Sequence, residues 1–455
     1  MAQGKYDIDM TTGPLLKKIL AFAAPMMLTG ILQLLYNAAD VAVVGSFAGK
    51  EALAAVGSTG ALINLIVNVI MGLSVGSSVM IARRLGSHDD DGVRRAVNTS
   101  MLVAVIGGLL VMVVGIAFSG LFLSLMATPD DVLPLATKYM RIYFIGAPAS
   151  VVYNFGASVL RANGDTRRPL YFLIVSGAVN VLFNLLFVIG FNMDVDGVAT
   201  ATVISQVLSA IFVIVAMMKM TTASRLEIKA LKIYKQEFFE MLRIGLPAGI
   251  QGSIFSISNV LIQSAVNSFD NSSIIAGNAA AGNLEGFIYV AMNTFYHAAL
   301  TFTGQNYGAK QFKRINKVLA ECLITVTVVG LAVGMVIELA NGQLLKLYTN
   351  DPEIIRYAQS RNAIICPTYF LCGIMEVMVG MLRGLGYSIA PMIVSIAGVC
   401  GIRIAWIYIV FAADPSIQSL YMSYPVSWLI TAAIHSVCFI AVRKSAERRM
   451  LAQQC

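Results

Sequence analysis

The sequence predicts an all-α polytopic membrane protein, with twelve transmembrane helices in two six-helix lobes related by a pseudo-two-fold axis along the membrane normal. Three observations predict it. The 455-residue chain is 58% hydrophobic and 12% charged, with a mean hydropathy of +0.77; soluble chains carry about 25% charged residues, so a soluble globule of this size lacks polar cover. Apolar runs reaching the ~20 residues that cross a hydrocarbon core recur twelve times. The halves also repeat at one offset. A soluble enzyme, a disordered chain, collagen and a disulfide-rich scaffold are excluded together.

The runs follow in order. The first, 15–43, carries Pro25 in its interior, and the second, 52–80, stops before Arg83 and Arg84. The third, 95–122, follows Arg94 and Arg95; the fourth, 132–158, stops before Arg161. The fifth, 170–191, follows Arg167, Arg168 and Pro169, and the sixth, 195–219, enters a basic linker at 219–243. The seventh, 238–265, carries Pro247; the eighth is 273–303; the ninth, 316–341, follows Lys310 to Lys317. The tenth, 353–380, stops before Arg383, the eleventh, 390–411, contains Arg403, and the twelfth, 416–442, enters the tail Arg443 to Arg449. With a cytoplasmic N-terminus, 25 of the 32 basic residues fall on the cytoplasmic side. Six fall outside (Lys50, Lys138, Arg141, Lys346, Arg356 and Arg361) and Arg403 lies within a span. The positive-inside rule demands that asymmetry. It predicts an even span number and both termini cytoplasmic, and it reads the net charge of +8 as basic loops rather than nucleic-acid binding. No secretory signal is expected, because the first apolar run is long and no cleavage-like break follows.

The linker divides the chain into an N-lobe at 1–218 and a C-lobe at 244–455, with its tail. At an offset of 222, Pro25 meets Pro247, Asn37 meets Asn259, Gly86 meets Gly308, Leu160-Arg161-x-x-Gly164 meets Leu382-Arg383-x-x-Gly386, and Pro169 meets Pro391. Five matches at one offset indicate a duplicated half. Six spans per half preserve orientation, hence the axis along the normal; transporters with such halves bind substrate between them and rock one against the other.

Ionisable side chains inside spans cost at least about 2.5–3.5 kcal/mol on insertion scales, which makes each a functional candidate. Gln33, Asn37 and Asp40 fall at i, i+4 and i+7, on one face of the first helix. Pro25 removes a backbone hydrogen bond there and is a candidate hinge. A carboxyl in a low-dielectric cavity has its neutral form favoured and can carry a proton; the plainer reading leaves Asp40 solvated at the outer end. Asn180 and Asn184 are one turn apart on the fifth span, and Thr202 and Gln206 one turn apart on the sixth. They either line a site or make interhelical hydrogen bonds worth about 0.6 kcal/mol each.

The second half has Ile262 where the offset predicts an acid, and Ser256, Asn259, Gln263 and Asn267 along one stripe. Glu285, Tyr289, Asn293 and Tyr296 form a polar-aromatic face on the eighth span. Carboxylates beside tyrosines suit an organic cation through charge and ring-face attraction. With Gln33 and Tyr36, the residues Glu285, Tyr289, Asn293 and Glu376 are the substrate-binding candidates. Arg403 within a span needs a partner, and Glu376 is the expected one; if they pair, Glu285 is left as the open acid. Glu338 reads as interfacial or functional, and His297 and His435 as packing residues or pH-sensitive groups. Cys322, Cys366, Cys372, Cys400 and Cys438 read as core residues and Cys455 as a tail thiol, with no metal-ligand spacing. Gly72-x-x-x-Gly76, Gly282-x-x-x-Gly286 and Gly330-x-x-x-Gly334 read as close helix packing. Asn271-Ser-Ser is a formal glycosylation triplet. The 23 methionines tolerate varied ligands. No nucleotide-binding loop, zinc-protease or esterase motif is present, so no enzyme and no cofactor are expected.

Ala24-Pro25 through Gln33, Tyr36-Asn37, Asp40, Gly45 and Lys50-Glu51-Ala52-Leu53-Ala54-Ala55-Val56-Gly57 resemble the opening of the multidrug and toxic compound extrusion (MATE) family. Leu160-Arg161-Ala162-x-Gly164-Asp165-Thr166 and Gly304-Gln305-Asn306-Tyr307-Gly308-Ala309 are similar to further family signatures, and the resemblance covers essentially the whole chain. The chain looks closest to the bacterial DNA-damage-inducible-type branch. The resemblance implies a secondary antiporter in the bacterial inner membrane that expels amphipathic cationic organic compounds by alternating access in exchange for H+ or Na+; a monomer is expected, because a duplicated single chain does not require partners. It implies that Asp40, with Asn180 and Thr202, couples ion to substrate; Asn37 and Asn184 join them as ion-coupling candidates by their helical spacing. Many prokaryotic relatives have a second acid where this chain has Asn184, which weakens a two-carboxylate cation site. Glu376 resembles a sodium or substrate acid of related transporters, while the seventh span lacks the acid of some sodium-coupled ones. The rival within the wider superfamily is a flippase for lipid-linked sugars, expected to have a strongly cationic cavity; a channel or receptor is a third reading.

Overall fold

The computed structural model describes residues 6–126 and 128–452; Cys455 and the side chains of Lys50, Glu51 and Leu53 lie outside the described residues. Every regular element among the described residues is helical. The helices are α1 (Leu15–Val43), α2 (Gly49–Gly86), α3 (Asp90–Leu125), α4 (Leu133–Ile145), α5 (Ala147–Ala162), α6 (Arg167–Leu185) and α7 (Val195–Met218), then α8 (Lys235–Asn267), α9 (Ser272–Gly308), α10 (Phe312–Leu345), α11 (Pro352–Gly384), α12 (Ile389–Ser395), α13 (Ile402–Trp406) and α14 (Ile417–Ala452).

Among the described residues, ten helices are long and apolar enough to cross a membrane, and eleven when α4 and α5 count as one span bent by 48°. The segment α9 completes twelve: at 37 residues it is long enough, and Asn278, Asn283, Glu285 and Asn293 lower its apolarity. The bend in the fourth span, which the sequence reads as one run, has a local cause. Pro148 in the first turn of α5 cannot donate to the carbonyl of Phe144, so the α4 hydrogen-bond ladder ends there. In the eleventh span, a π-helical turn at Ile396–Gly401 joins α12 to α13, and a second at Ile407–Phe411 continues α13. Capping fixes other starts: Asp89 accepts from Gly92 N at 2.8 Å, and Asp351 from Glu353 N at 2.8 Å. Asn271, the formal glycosylation residue, caps α9 by accepting from the backbone of Ser273 and Ile274, relieving unpaired first-turn donors.

The chain packs as two units, Met1–Asp9 with Ala24–Gly249, and Met10–Ala23 with Ile250–Cys455. The division passes through α1 just before Pro25 and through α8 just after Pro247, so the linker and the first turns of α8 pack within the first unit.

In the first unit, one apolar cluster gathers Met80, Val97, Phe155, Val213 and Met241, and another gathers Val44, Ile63, Met140, Phe144 and Val198. Glycines bring α2 onto the start of α8: a Cβ on Gly72 would stand 2.2 Å from Gly249 N, and one on Gly76 2.4 Å from Met241 O. The partner surface is itself a small-residue motif, Gly245-x-x-x-Gly249. Glu237, 2% exposed, anchors the same turns by accepting from Arg95 Nε at 2.8 Å, and Glu240 accepts from Arg84 Nη2 at 2.9 Å.

In the second unit, α9 and α11 form the core: Ala298–Asn306 and Met375–Leu385 are buried without a gap. Gly330 and Gly334 pack against Phe370 and Cys366 of α11. Gly282 has nothing within 4 Å of its Cβ position, so that third small-residue motif is not a packing seam.

Candidate functional site

The first unit contains a half-open chamber of about 330 Å³. One face of α1 supplies Gln33, Tyr36, Asn37 and Asp40; α6 supplies Ser176 and Asn180; α7 supplies Thr202, Ser205, Gln206 and Ser209. The bent pair α4 and α5 adds Tyr139, Tyr143, Tyr153 and Asn154, and α2 adds Asn64. The helical spacing explains the assembly, since residues three and four apart share a face. Asp40 is the one charged residue in this lining.

A chain of hydrogen bonds leads away from Asp40. Asn184 Nδ2 donates to Asp40 Oδ1 at 2.5 Å and lies 3.4 Å from Asn180 Oδ1. Asn180 Nδ2 donates in turn to Thr202 Oγ1 at 3.4 Å, and Thr202 donates to the carbonyl of Val198 at 3.0 Å. Asn184 is fully buried, and its Oδ1 has no hydrogen-bond partner among the described residues. The sequence-derived residues Asp40, Asn180, Asn184 and Thr202 therefore form one connected group; Gln33 and Asn37 line the chamber outside it. Tyr36 is seated on α6: its hydroxyl donates to Ile174 O at 3.4 Å, and a Cβ on Gly177 would stand 1.9 Å from its ring. Gly177 is thus the close-approach point between α1 and α6.

The second unit arranges its charges differently. Glu285 accepts from Arg361 Nε at 2.6 Å and Nη2 at 2.9 Å, both residues are buried, and Arg361 Nη1 also donates to Asn278. Asn278 Nδ2 donates to Gln263 Oε1 at 2.9 Å, and Gln263 Nε2 donates to Asn267 at 2.9 Å, so part of the polar stripe on α8 is tied to this pair. Tyr296 is buried and accepts from Arg383 Nη1 at 2.8 Å, while Arg383 Nη2 donates to Gln251 Oε1 at 2.9 Å. Tyr289 is 43% exposed and Asn293 half-buried, so the expected face on α9 divides into two buried, partnered residues and two accessible ones. Glu376 is buried with no hydrogen bond or ion pair among the described residues.

These geometries stand beside a family match. The MatE family model matches residues 25–186 and 247–409, the two halves of the chain and most of its length. The chain belongs to the MATE family. It is 25% identical over 418 residues to the probable multidrug resistance protein YoeA of Bacillus subtilis, covering 90% of each chain. It is 22% identical to the multidrug export protein MepA of Staphylococcus aureus, covering 84% of each. Among solved structures, an outward-facing multidrug resistance MATE transporter superposes with a TM-score of 0.92 at 22% identity, over 98% of this chain and 100% of that one. A MOP superfamily transporter from Pyrococcus furiosus gives the same figures. The twelve-helix fold follows.

Within this MATE chain, three expectations are corrected. Arg403 does not pair with Glu376: its Nε donates to Ser427 Oγ at 3.1 Å, and its guanidinium lies 4.1 Å from the Tyr424 ring centroid and 5.8 Å from that of Trp428. Ring faces, not a carboxylate, receive this cation. Glu285 is not the open acid, because Arg361 holds both of its oxygens. Arg361 and Arg383 are not loop residues: both lie inside α11 and are 6% and 5% exposed. Arg361, the buried partner of Glu285, was the hardest of these to see. The available signal was depth, since Glu285 and Arg361 stand a few turns into helices that start on the same side of the bundle. His435 is fully buried with Nε2 3.0 Å from Ser395 Oγ, and Glu338 is partly buried and accepts from Asn341 at 3.3 Å. Among the described residues no group of three or more His, Cys, Asp or Glu is arranged to hold a metal.

Proposed function

We propose that this chain is a secondary active efflux transporter of the bacterial cytoplasmic membrane that exports amphipathic organic cations in exchange for an inward-moving ion, by alternating access. The observation that carries this reading is a single carboxylate among the described residues, Asp40, in a cavity shared about equally between polar groups (tyrosines, amides and hydroxyls) and apolar side chains such as Ile63, Val67, Met71 and Leu173, a lining that suits an amphipathic cation. A cationic substrate and a proton both compete for that one negative charge. Four tyrosine rings offer further attraction to an organic cation, and the amide-hydroxyl chain through Asn184, Asn180 and Thr202 holds the carboxylate in place. The names of the relatives, multidrug resistance and multidrug export proteins, support the substrate class.

Ion and substrate must favour different states of the protein for coupling to exist. A proton that neutralises Asp40 from outside weakens its hold on a cation; a cation arriving from the cytoplasm favours release of the proton. Sodium is the alternative coupling ion, because Asp40, Asn180, Asn184 and Thr202 supply oxygen ligands of the kind a hard cation takes. Both termini are assigned to the cytoplasm by the basic loops, and the chain functions as a monomer. The test is efflux of ethidium from energised cells, or its uptake into everted vesicles, under a proton gradient and a sodium gradient imposed separately. The proposal expects one gradient to drive transport and Asp40→Asn to abolish it.

A lipid-linked sugar flippase remains the second reading, and one observation favours it: the second unit buries three arginines, Arg361, Arg383 and Arg403, where the sequence placed one. Glu285 neutralises Arg361, which leaves less positive charge than a pyrophosphate cavity needs. Gradient-independent scrambling of a labelled polyprenyl-pyrophosphate sugar in proteoliposomes, with no dye efflux, is the result that selects the flippase.

A further inference from the structure

We propose that the second unit holds an anion site at Arg403, which receives one small, singly charged anionic group, either a free halide or the carboxylate of a transported zwitterion. The argument starts from a charge count. Two guanidiniums share one aromatic ring, Arg361 at 5.3 Å and Arg403 at 4.1 Å from the Tyr424 centroid. Among the described residues the one carboxylate in ion-pair contact with either guanidinium is Glu285, and Arg361 holds both of its oxygens. Arg361 Nη1 is taken by Asn278, so every nitrogen of that guanidinium has an acceptor.

Arg403 differs. It is 5% exposed, its Nε donates to Ser427 Oγ, and neither Nη1 nor Nη2 has an acceptor among the described residues. Among the described residues no acid forms an ion pair with it, Glu376 on α11 included. A guanidinium cannot shed its proton to escape burial. The faces of Tyr424 and Trp428 compensate part of its charge, but its four terminal N–H donors meet no acceptor among the described residues and are not sealed off from a small ion, whereas a charge on so little exposed a side chain is normally both paired and hydrogen-bonded. A monovalent anion supplies what is missing: one countercharge, and acceptor capacity for a planar fork of donors. The site lies in the second unit, and its occupancy is independent of which ion drives transport.

The sequence provides its own reporter. Trp406 and Trp428 are the two tryptophans, and Trp428 is the one beside Arg403. In the full-length Trp406→Phe protein in nanodiscs, iodide is titrated at ionic strength held constant with a bulky sulfonate, and Trp428 fluorescence is read. The proposal expects saturable quenching that excess chloride relieves, weakening of at least tenfold or loss of the saturable phase in Arg403→Gln, and its retention in Arg403→Lys. Relief by acetate at concentrations comparable to chloride shows that a carboxylate is accepted; relief by chloride alone assigns the site to halide. Quenching that is linear in iodide, or unrelieved by chloride, overturns the proposal even where Arg403→Gln does not fold. Saturable quenching left unchanged by a folded Arg403→Gln overturns it as well.

Discussion

Removing Arg361 is expected to damage the second unit more than removing any loop arginine. Arg361→Ala strands Glu285, 6% exposed, with neither of the two charged hydrogen bonds it accepts at 2.6 and 2.9 Å. Breaking a buried ion pair from one side costs about 3–5 kcal/mol. The loss of Arg361 from the Tyr421 and Tyr424 rings, at 5.2 and 5.3 Å, adds roughly 0.5–1 kcal/mol each. At roughly 2–4 °C per kcal/mol for a domain of 150–250 residues, the melting midpoint in detergent falls by about 6 °C or more. The assay is a thermal unfolding series read by size-exclusion recovery for wild type, Arg361→Ala, Glu285→Leu, and Glu285→Leu with Arg361→Met. The double variant recovers most of the loss, because exchanging a whole buried pair for apolar residues of similar volume is often near neutral. An Arg361→Ala protein within about 1 kcal/mol of wild type, or a double variant no better than the sum of the singles, refutes the reasoning.

Further expectations concern the first unit. Gly177→Ala places a methyl 1.9 Å from the Tyr36 ring and forces the ring off α6; dye efflux drops sharply while expression persists, and adding Tyr36→Leu restores part of it. Gly72→Ala sets a Cβ 2.2 Å from the backbone of Gly249, where no side chain can yield, so the α2–α8 contact opens at a cost of about 1–3 kcal/mol, measurable as a lower melting midpoint. Asn184→Asp puts a second carboxylate within hydrogen-bond reach of Asp40; like charges that close cannot both ionise without a bound cation. Sodium should therefore raise the melting midpoint of Asn184→Asp more than that of wild type.

Much of this organisation was legible because it depends on single-chain periodicity. Apolar length located the spans, and the spacings of Gln33, Asn37 and Asp40 and of Asn180 and Asn184 placed polar atoms on faces that meet around one chamber. What stayed hidden depends on which helices touch. Counting basic residues by loop assigned Arg361 and Arg383 to the surface, because both stand near the ends of an apolar run. Only the packing of α11 against α9 reveals their partners Glu285 and Tyr296. The expectation that Arg403 must find a carboxylate overlooked Tyr424 and Trp428, one turn apart on α14 and able to present two ring faces. The break between α4 and α5 did have a visible cause in Gly146-Ala147-Pro148, which a hydropathy reading smooths over.

The central claim is that Asp40 couples an inward ion to outward movement of an organic cation. Ethidium transport in everted vesicles, comparing wild type with Asp40→Asn under a proton gradient alone and a sodium gradient alone, tests it most directly. The account predicts gradient-driven transport by wild type and none by a correctly inserted Asp40→Asn. Undiminished gradient-driven transport by Asp40→Asn would contradict it.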